Sequence, residues 1–339
     1  MCAAIASSTT DSRDDAAFGR LVEAHRADLH AHCYRMLGSL HDADDALQDT
    51  LLRAWRSLPG FRGRSSIRTW LYRIATNVCL DLIARRPKRV LPIDYEAPDG
   101  SEPLRESLWI EPYPDETLGT AAPDTTPDAR YERREAVELA FIAALQHLPA
   151  RQRATLILRD VLGFSAKEAA HSLEATVPSV NGALQRARKT MGERLPPRSQ
   201  QATIRTIGDQ RLRGVVERFV DAFERGDVDA ILATLTDDAT FMMPPYPAWS
   251  HGRAAIAESW LMPGGPTPRL RYVTARANGQ PAVAAYLLDE EAGTYKPIAL
   301  DVLTLDGERI AGVTAFRTPA IFPRFDLPDE IQATPAVDA

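Results

Sequence analysis

The sequence predicts a multidomain protein: two all-α helical domains, the second ending in a helix-turn-helix, followed by an α+β domain. Three observations predict it. Apolar residues recur every three or four positions through two blocks. A proline-rich, acidic stretch separates those blocks. From about residue 207 two short helical patterns give way to short strand-like runs.

In the first block Phe18, Val22, His25, Leu29, Cys33 and Met36 keep helical spacing until Gly38-Ser39 interrupts it. A second helix starts near Asp42, carries Leu47, Thr50, Leu51, Ala54 and Trp55, and stops at Pro59-Gly60. After the loop Phe61-Arg62-Gly63-Arg64, either Ser65 or Ser66 is a suitable cap for a third helix. That helix carries Trp70, Leu71, Ile74, Val78 and Leu82 and ends in Arg85-Arg86, cations that suit the negative pole of its dipole. Residues 91–129 hold seven prolines (92, 98, 103, 112, 114, 123 and 127) and read as an extended acidic linker. Its piece Leu108-Trp109-Ile110-Glu111-Pro112-Tyr113-Pro114 is either a docking peptide or an incidental contact. The block 130–196 is helical again, with a helix from Ser165, the turn Glu174-Ala175-Thr176 and a helix opening at Val177-Pro178. The last domain, 207–320, begins with Leu212 to Phe223 and Val228 to Leu235 as helices. Runs at 239–243, 270–277, 282–288, 298–305 and 310–316 follow, with Asp306-Gly307 as a hairpin turn. The remainder, 321–339, is expected to be a loose tail.

The 339 residues are 45% apolar and 25% charged, ordinary for globular domains. No apolar run approaches the roughly 18 residues of a membrane span, and Met1 to Asp15 lacks the order of a signal peptide. A cytoplasmic protein with no membrane association is the expectation. Cys2, Cys33 and Cys79 are too scattered for a disulfide framework, and the last two are expected as reduced core residues. The net charge of −6 hides a segregation. Residues 13–92 and 130–198 carry +5 each, 93–129 carry −9 and 199–339 carry −6. Basic blocks are thus separated by an acidic linker and followed by an acidic domain, a pattern compatible with nucleic-acid contact.

Two constellations carry that chemistry. Along 177–191, Val180, Leu184, Ala187 and Met191 form an inner stripe, while Ser179, Asn181, Gln185, Arg186, Arg188 and Lys189 lie off it. A major-groove helix needs this division, an apolar back and side chains that reach base edges and phosphates. A solvated amphipathic helix is the alternative. Around 61–72, Phe61, Arg62, Arg64, Trp70 and Tyr72 interleave rings with cations, as suits splayed single-stranded bases. Trp70 lies on the apolar stripe and reads as packing, so Phe61 is the better stacking candidate.

The segments Asp42 to Thr50, Phe61-Arg62-Gly63 and Ser66 to Asn77, followed by Leu148 to Arg153 and on through Arg188-Lys189, resemble the sigma-70 family, extracytoplasmic-function group. The resemblance covers about 14–195. It implies a region-2 domain at 14–90 that binds core RNA polymerase and the minus-ten element, and a region-4 helix-turn-helix at 130–196. Asp45, Gln48, Asp49, Leu52, Arg53 and Trp55 would dock on the polymerase clamp. Phe61, Arg62, Arg64, Ser66, Arg73, Asn77, Asp81 and Arg85 would read and melt the minus-ten element. Ser179, Asn181, Gln185, Arg186, Arg188 and Lys189 would read the minus-thirty-five element as duplex.

The last domain resembles the polyketide-cyclase-like (SnoaL-like) branch of the cone-shaped NTF2 fold, on Val216 to Phe223, Gly226-Asp227, Asp237 to Phe241 and His251-Gly252-Arg253. Enzymes on that fold use a carboxylate or His base in an apolar cone. Asp237, Asp238, His251 and Asp301 are the candidates here, but they do not assemble into an acid–base pair by sequence, and no catalysis is expected. Met242, Met243, Tyr246, Trp249, Trp260 and Tyr286 line a pocket or form core. His25, His30, His32 and Cys33 cluster but read as core and surface residues, so no metal and no cofactor are expected. The expected partners are core RNA polymerase and promoter DNA, both double-stranded and melted, together with an intramolecular contact between the C-terminal and helical domains. No separate anti-sigma factor is evident. A DNA-binding regulator fused to a ligand-binding or enzymatic domain is the alternative.

Overall fold

The computed structural model describes residues 18–19, 22–63, 65–94, 108–118, 134–260 and 266–333. They divide into two compact units. The first gathers the described residues up to 88 with 117–118 and 144–195. The second gathers 89–94, 108–116, 134–143 and 196–333. Among the described residues no helix is long and apolar enough to cross a membrane.

The first unit is helical: α1 (Arg26–Leu37), α2 (Leu40–Ser57) and α3 (Ile67–Ile83) from the first block. The junction of α1 and α2 follows from two residues. Gly38 takes φ +70 and its N–H returns to the Tyr34 carbonyl, while the Ser39 hydroxyl accepts from the Asp42 N–H. Leu29, Cys33, Met36, Leu47, Leu71 and Val78 are buried where the three helices meet. Cys33 and Cys79 are both free and buried. Helix α4 (Leu139–Gln146), whose residues 139–143 count with the second unit, precedes α5 (Ala150–Leu156), which runs on into a π-helical turn, Ile157–Val161. Then come α6 (Ala166–Ser172) and α7 (Val177–Arg194).

The second unit contains α8 (Gln200–Ile207), α9 (Asp209–Glu224), α10 (Val228–Thr234) and α11 (Arg253–Trp260), with a seven-stranded sheet. Strands β3 (Leu270–Ala277), β4 (Gln280–Asp289), β5 (Thr294–Asp306) and β6 (Arg309–Phe316) form the expected antiparallel meander, with Gly307 at φ +54 in the β5–β6 turn. Strand β1 (Leu235–Met242) pairs parallel with β6, and β2 (Trp249–His251) continues beyond it. Phe219, Ile231, Val283, Leu303, Ile310 and Val313 join helices and sheet in one core.

The structure decides one open alternative, the aromatic peptide, and corrects two expectations. The linker is not free of structure where it is described. Trp109 and Tyr113 are 3% and 0% exposed; in the β3–β4 turn the Asn278 side-chain oxygen accepts from the Tyr113 N–H, and the Tyr113 carbonyl accepts from the Asn278 N–H. The Asp115 carboxylate accepts from the Gly279 N–H at 2.7 Å and pairs with Arg276 at 3.1 Å. The aromatic peptide therefore docks on the C-terminal unit of its own chain. Nor is the tail loose through 333. A 3-10 turn, Pro319–Phe325, buries Ile321 and Phe322, Phe322 packs on Tyr286, and β7 (Ile331–Gln332) pairs with β5. Its prolines masked apolar anchors that cover the sheet's second face. Finally, α8 lies where no helix was expected.

Candidate nucleic-acid interface

Helix α7 starts at Thr176, whose hydroxyl accepts from the Ser179 N–H, with Pro178 in the first turn. Val180, Leu184, Ala187 and Met191 are buried. Ser179, Asn181, Gln185, Arg186, Arg188 and Lys189 are all exposed. The preceding α6 carries a capping box between Ser165 and Glu168. Hydrogen bonding to the Ser165 side chain and to its backbone N–H holds the Glu168 carboxyl below its ordinary range. Arg188 is oriented by a bidentate pair with Asp160 at 2.7 and 2.8 Å, so it presents a fixed guanidinium. Lys189 reaches Glu193 only at 4.0 Å.

Helix α3 presents the second group. Ser66 is its cap, accepting from the Thr69 N–H at 3.1 Å. Phe61 is half-buried with its ring centroid 4.9 Å from that of Trp70. Arg62 and Arg85 are exposed and Asn77 is half-buried. Asp81 pairs with Arg53 of α2 at 3.2 Å. Arg64 lies outside the described residues. Arg73 is engaged with the helix-turn-helix, pairing with Glu174 at 2.9 Å. Sequence reasoning missed this coupling of α3 to the second helical block. Arg68 donates to the Leu162 carbonyl at 2.8 Å and lies 4.6 Å from the Phe164 ring centroid, and Thr69 donates to Glu168 at 3.3 Å. The partners are 94 to 101 residues apart in sequence, beyond the reach of local periodicity.

On α2, Asp45, Gln48, Asp49, Leu52 and Arg53 are exposed, and half-buried Trp55 packs edge-on against Phe18. Leu52 is 53% exposed, an apolar side chain on an otherwise polar face. Such a face suits a protein partner that covers the leucine.

The other candidates fall elsewhere. Asp237 and Asp238 are exposed, and Asp237 pairs with Arg253 at 3.1 Å. His251 is exposed at the end of β2. Met243, Tyr246 and Trp260 line a hollow in the C-terminal sheet, with Asp301 among them. Met242 packs in the core, Trp249 is exposed, and Tyr286 lies under the tail, donating to the Pro328 carbonyl. His32 is buried against Thr76 at 3.0 Å, and desolvation pushes its pKa down to about 3. His30 faces Asp44 at 3.2 Å. Among the described residues no three His, Cys, Asp or Glu side chains are grouped as metal ligands.

Three family descriptions match this chain: Sigma-70 region 2 over residues 21–89, Sigma-70 region 4 over 138–191, and the SnoaL-like domain over 216–317. The chain is 41% identical over 329 residues to the ECF RNA polymerase sigma factor SigG of Mycobacterium tuberculosis, covering 93% of this chain and 85% of that protein. It is 28% identical over 201 residues to the ECF RNA polymerase sigma factor SigE of Mycolicibacterium smegmatis, covering 58% of this chain and 69% of that one. The crystal structure of the M. tuberculosis extracytoplasmic function sigma factor SigJ superposes with a TM-score of 0.59 at 21% identity, covering 91% of this chain and 99% of that one.

Proposed function

This chain belongs to the extracytoplasmic-function sigma factors of the sigma-70 family and directs promoter-specific initiation by RNA polymerase, and on that footing we propose how its surfaces divide the work. The observation that carries the proposal is the segregation on α7, six polar side chains outside and four apolar ones inside. In this reading α7 enters the major groove at the minus-thirty-five element. The α3 group with the Phe61 loop takes the melted minus-ten strand, and the outer face of α2 meets the polymerase. The protein works in the cytoplasm, performs no chemistry itself, and uses the C-terminal unit to modulate its output. The test is run-off transcription with core polymerase and this chain on fragmented genomic DNA, with the RNA 5′ ends sequenced. A shared upstream motif is the expected result. No starts above core alone, with active polymerase, would return the protein to the class of DNA-binding regulators.

Geometry adds a condition. The two promoter elements lie roughly 25 base pairs apart, about 85 Å at 3.4 Å per pair. Helix α3 and the helix-turn-helix are in hydrogen-bond contact here, through Arg73–Glu174 and Thr69–Glu168. In this reading they separate before both elements are engaged. The Arg73–Glu174 pair is substantially exposed, so its loss is worth at most about 1 kcal/mol. Glu174→Ala is accordingly expected to raise promoter occupancy at limiting protein by up to about fivefold. Reduced occupancy in a filter-binding titration would count against the separation step.

Two further outcomes follow for the DNA side chains. Arg186→Ala is expected to weaken upstream duplex binding by about 1–3 kcal/mol, with relaxed preference at one base position. A uniform loss over all sequences, with a lower salt slope, would assign Arg186 to phosphate instead. Phe61→Ala is expected to spare duplex binding while slowing strand opening, followed by permanganate reactivity of unpaired thymines. Equal loss of both steps would contradict the stacking role.

A further inference from the structure

Helix α5 does not continue as a plain α-helix. At Ile157–Val161 it widens, and the Leu162 N–H reaches back five residues to the Ile157 carbonyl at 2.9 Å. Such π turns are uncommon and recur at functional positions. This one is held from several sides. Ile157 and Leu158 are buried, the Arg159 guanidinium donates to the Phe164 carbonyl, and Arg68 of α3 donates to the Leu162 carbonyl at 2.8 Å. Asp160 therefore stands on well-anchored backbone. Its carboxylate accepts from Nε and Nη2 of Arg188 on α7 at 2.8 and 2.7 Å.

Two features of this pair bear on DNA. The first is the set of donors it leaves. A guanidinium carries five N–H groups, and Asp160 takes one on Nε and one on Nη2. The two on Nη1 and the second on Nη2 remain, and they form an end-on fork that matches O6 and N7 of guanine. The Arg188 side chain is 59% exposed, so that fork is accessible. The second feature is charge. Paired with Asp160, the arginine is formally neutralised, so a phosphate attracts it less than it attracts a free cation. A base edge is a set of dipoles and loses less by that neutralisation. Lys189, the next cation along α7, meets Glu193 only at 4.0 Å. An ion pair this exposed adds little to stability, which leaves orientation as its main effect.

We propose that Asp160 is a positioning residue for promoter specificity: it aims the Arg188 fork at a guanine of the upstream element and keeps that arginine off the phosphates. The inference rests on the reading of α7 as the helix that enters the major groove. It gives a role in that reading to a residue outside α7, on a turn that α3 also grips through Leu162. A guanidinium already held has little rotamer freedom left to lose on binding. The right base gains two hydrogen bonds, and a wrong one meets a fork that cannot turn aside.

The test uses the full chain with core polymerase and a pool of random-sequence duplexes, the bound duplexes being sequenced at several salt concentrations. Arg188→Ala is expected to lose the preference for guanine at one position of the selected upstream motif. Asp160→Asn is expected to weaken that same preference by about tenfold. It is also expected to bind unselected duplex no more weakly than the unaltered chain, with a salt slope steeper by about one as the freed arginine takes a phosphate. Asp160→Glu keeps the carboxylate and is expected to retain most of the preference. A pair that merely tied the turn to α7 would behave differently. Its loss would lower the melting temperature and weaken all duplexes alike, and that result overturns the proposal. If Arg188→Ala loses the preference while Asp160→Asn keeps it, the proposal fails and the reading of α7 stands. If Arg188→Ala leaves every preference unchanged, the proposal also fails, and Arg186→Ala in the same pool tells whether the reading of α7 fails with it. Should Asp160→Asn not fold, as judged by circular dichroism, Arg188→Lys decides, because it keeps the charge without the fork. Retained guanine preference in that variant overturns the proposal.

Discussion

Arg153→Met is expected to destabilise the helical unit by about 3–5 kcal/mol, measured by denaturant unfolding. Arg153 is 4% exposed, and its guanidinium donates to the Met36 carbonyl, to the side chain and carbonyl of Gln146, and to the Leu148 carbonyl. These are helix ends whose carbonyls secondary structure leaves unpaired: Met36 lies in the last turn of α1, Gln146 ends α4 and Leu148 follows it. One buried cation thus satisfies acceptors from both helical blocks. Desolvation pulls its pKa down to about 10, which still leaves it charged near neutrality. Methionine fills comparable space but donates nothing, so each carbonyl is left buried and unmet. Arg151→Met is the control, since that side chain is exposed and makes one long hydrogen bond to Leu173. If the two variants lose the same stability, the hub assigned to Arg153 does not exist.

The second large effect has the opposite sign. Asp301→Asn is expected to stabilise the C-terminal unit by about 2–4 kcal/mol at pH 8, with the gain fading towards pH 4. The carboxyl titrates near 7 in the folded protein against an ordinary 3.8, because burial penalises its charge. The folded state therefore keeps a proton that the unfolded state surrenders between about pH 4 and 7. Stability falls as pH rises through that window, is lowest above 7, and the penalty vanishes below 4. Arg317 and Arg269, and the Tyr272 hydroxyl with its own raised pKa, share the hollow, and all are retained in the variant. Glu138, also raised to about 7 by burial, adds a similar slope to both proteins and cancels in the difference. Melting temperatures of the two proteins from pH 4.5 to 8 provide the measurement. A gap that does not change with pH would mean that Asp301 is ionised in the fold.

Much of this molecule was legible in its sequence because the responsible forces act over a few residues. The division of α7 into a buried stripe and an exposed polar face is a periodicity, and it survives folding unchanged. The Gly38-Ser39 break, a serine cap at 65 or 66 and the Asp306-Gly307 turn follow from backbone conformations that those residue types favour, and the fold selects Ser66 as the cap. The strand Leu270–Ala277 has the bounds read for that strand-like run. The candidate surface on α7 was legible for the same reason, as residues off an apolar stripe, whereas that on α2 was implied by the family resemblance.

What tertiary structure alone decided involves partners far apart in the chain. Helix α8 escaped notice because its burial is largely polar. Gln200 exchanges hydrogen bonds with Leu305, while Glu138 accepts from the backbone N–H groups of Gln200 and Gln201. No apolar periodicity announces such a helix. The linker was read as extended, with docking of its aromatic peptide left open, and the tail as loose, yet Tyr113 and Phe322 are buried by sheet residues reached only after the chain has folded. Arg73 met Glu174 for the same reason. Asp301 is the clearest case: sequence marks it as one acid in an apolar run. Only the register of β4, β5 and β6, set by the pairing of whole strands, places it in the hollow with its Oδ1 buried and without a partner. Local propensity determines which segments are helix or strand, whereas a polar group's surroundings depend on contacts between distant segments, which periodicity does not encode.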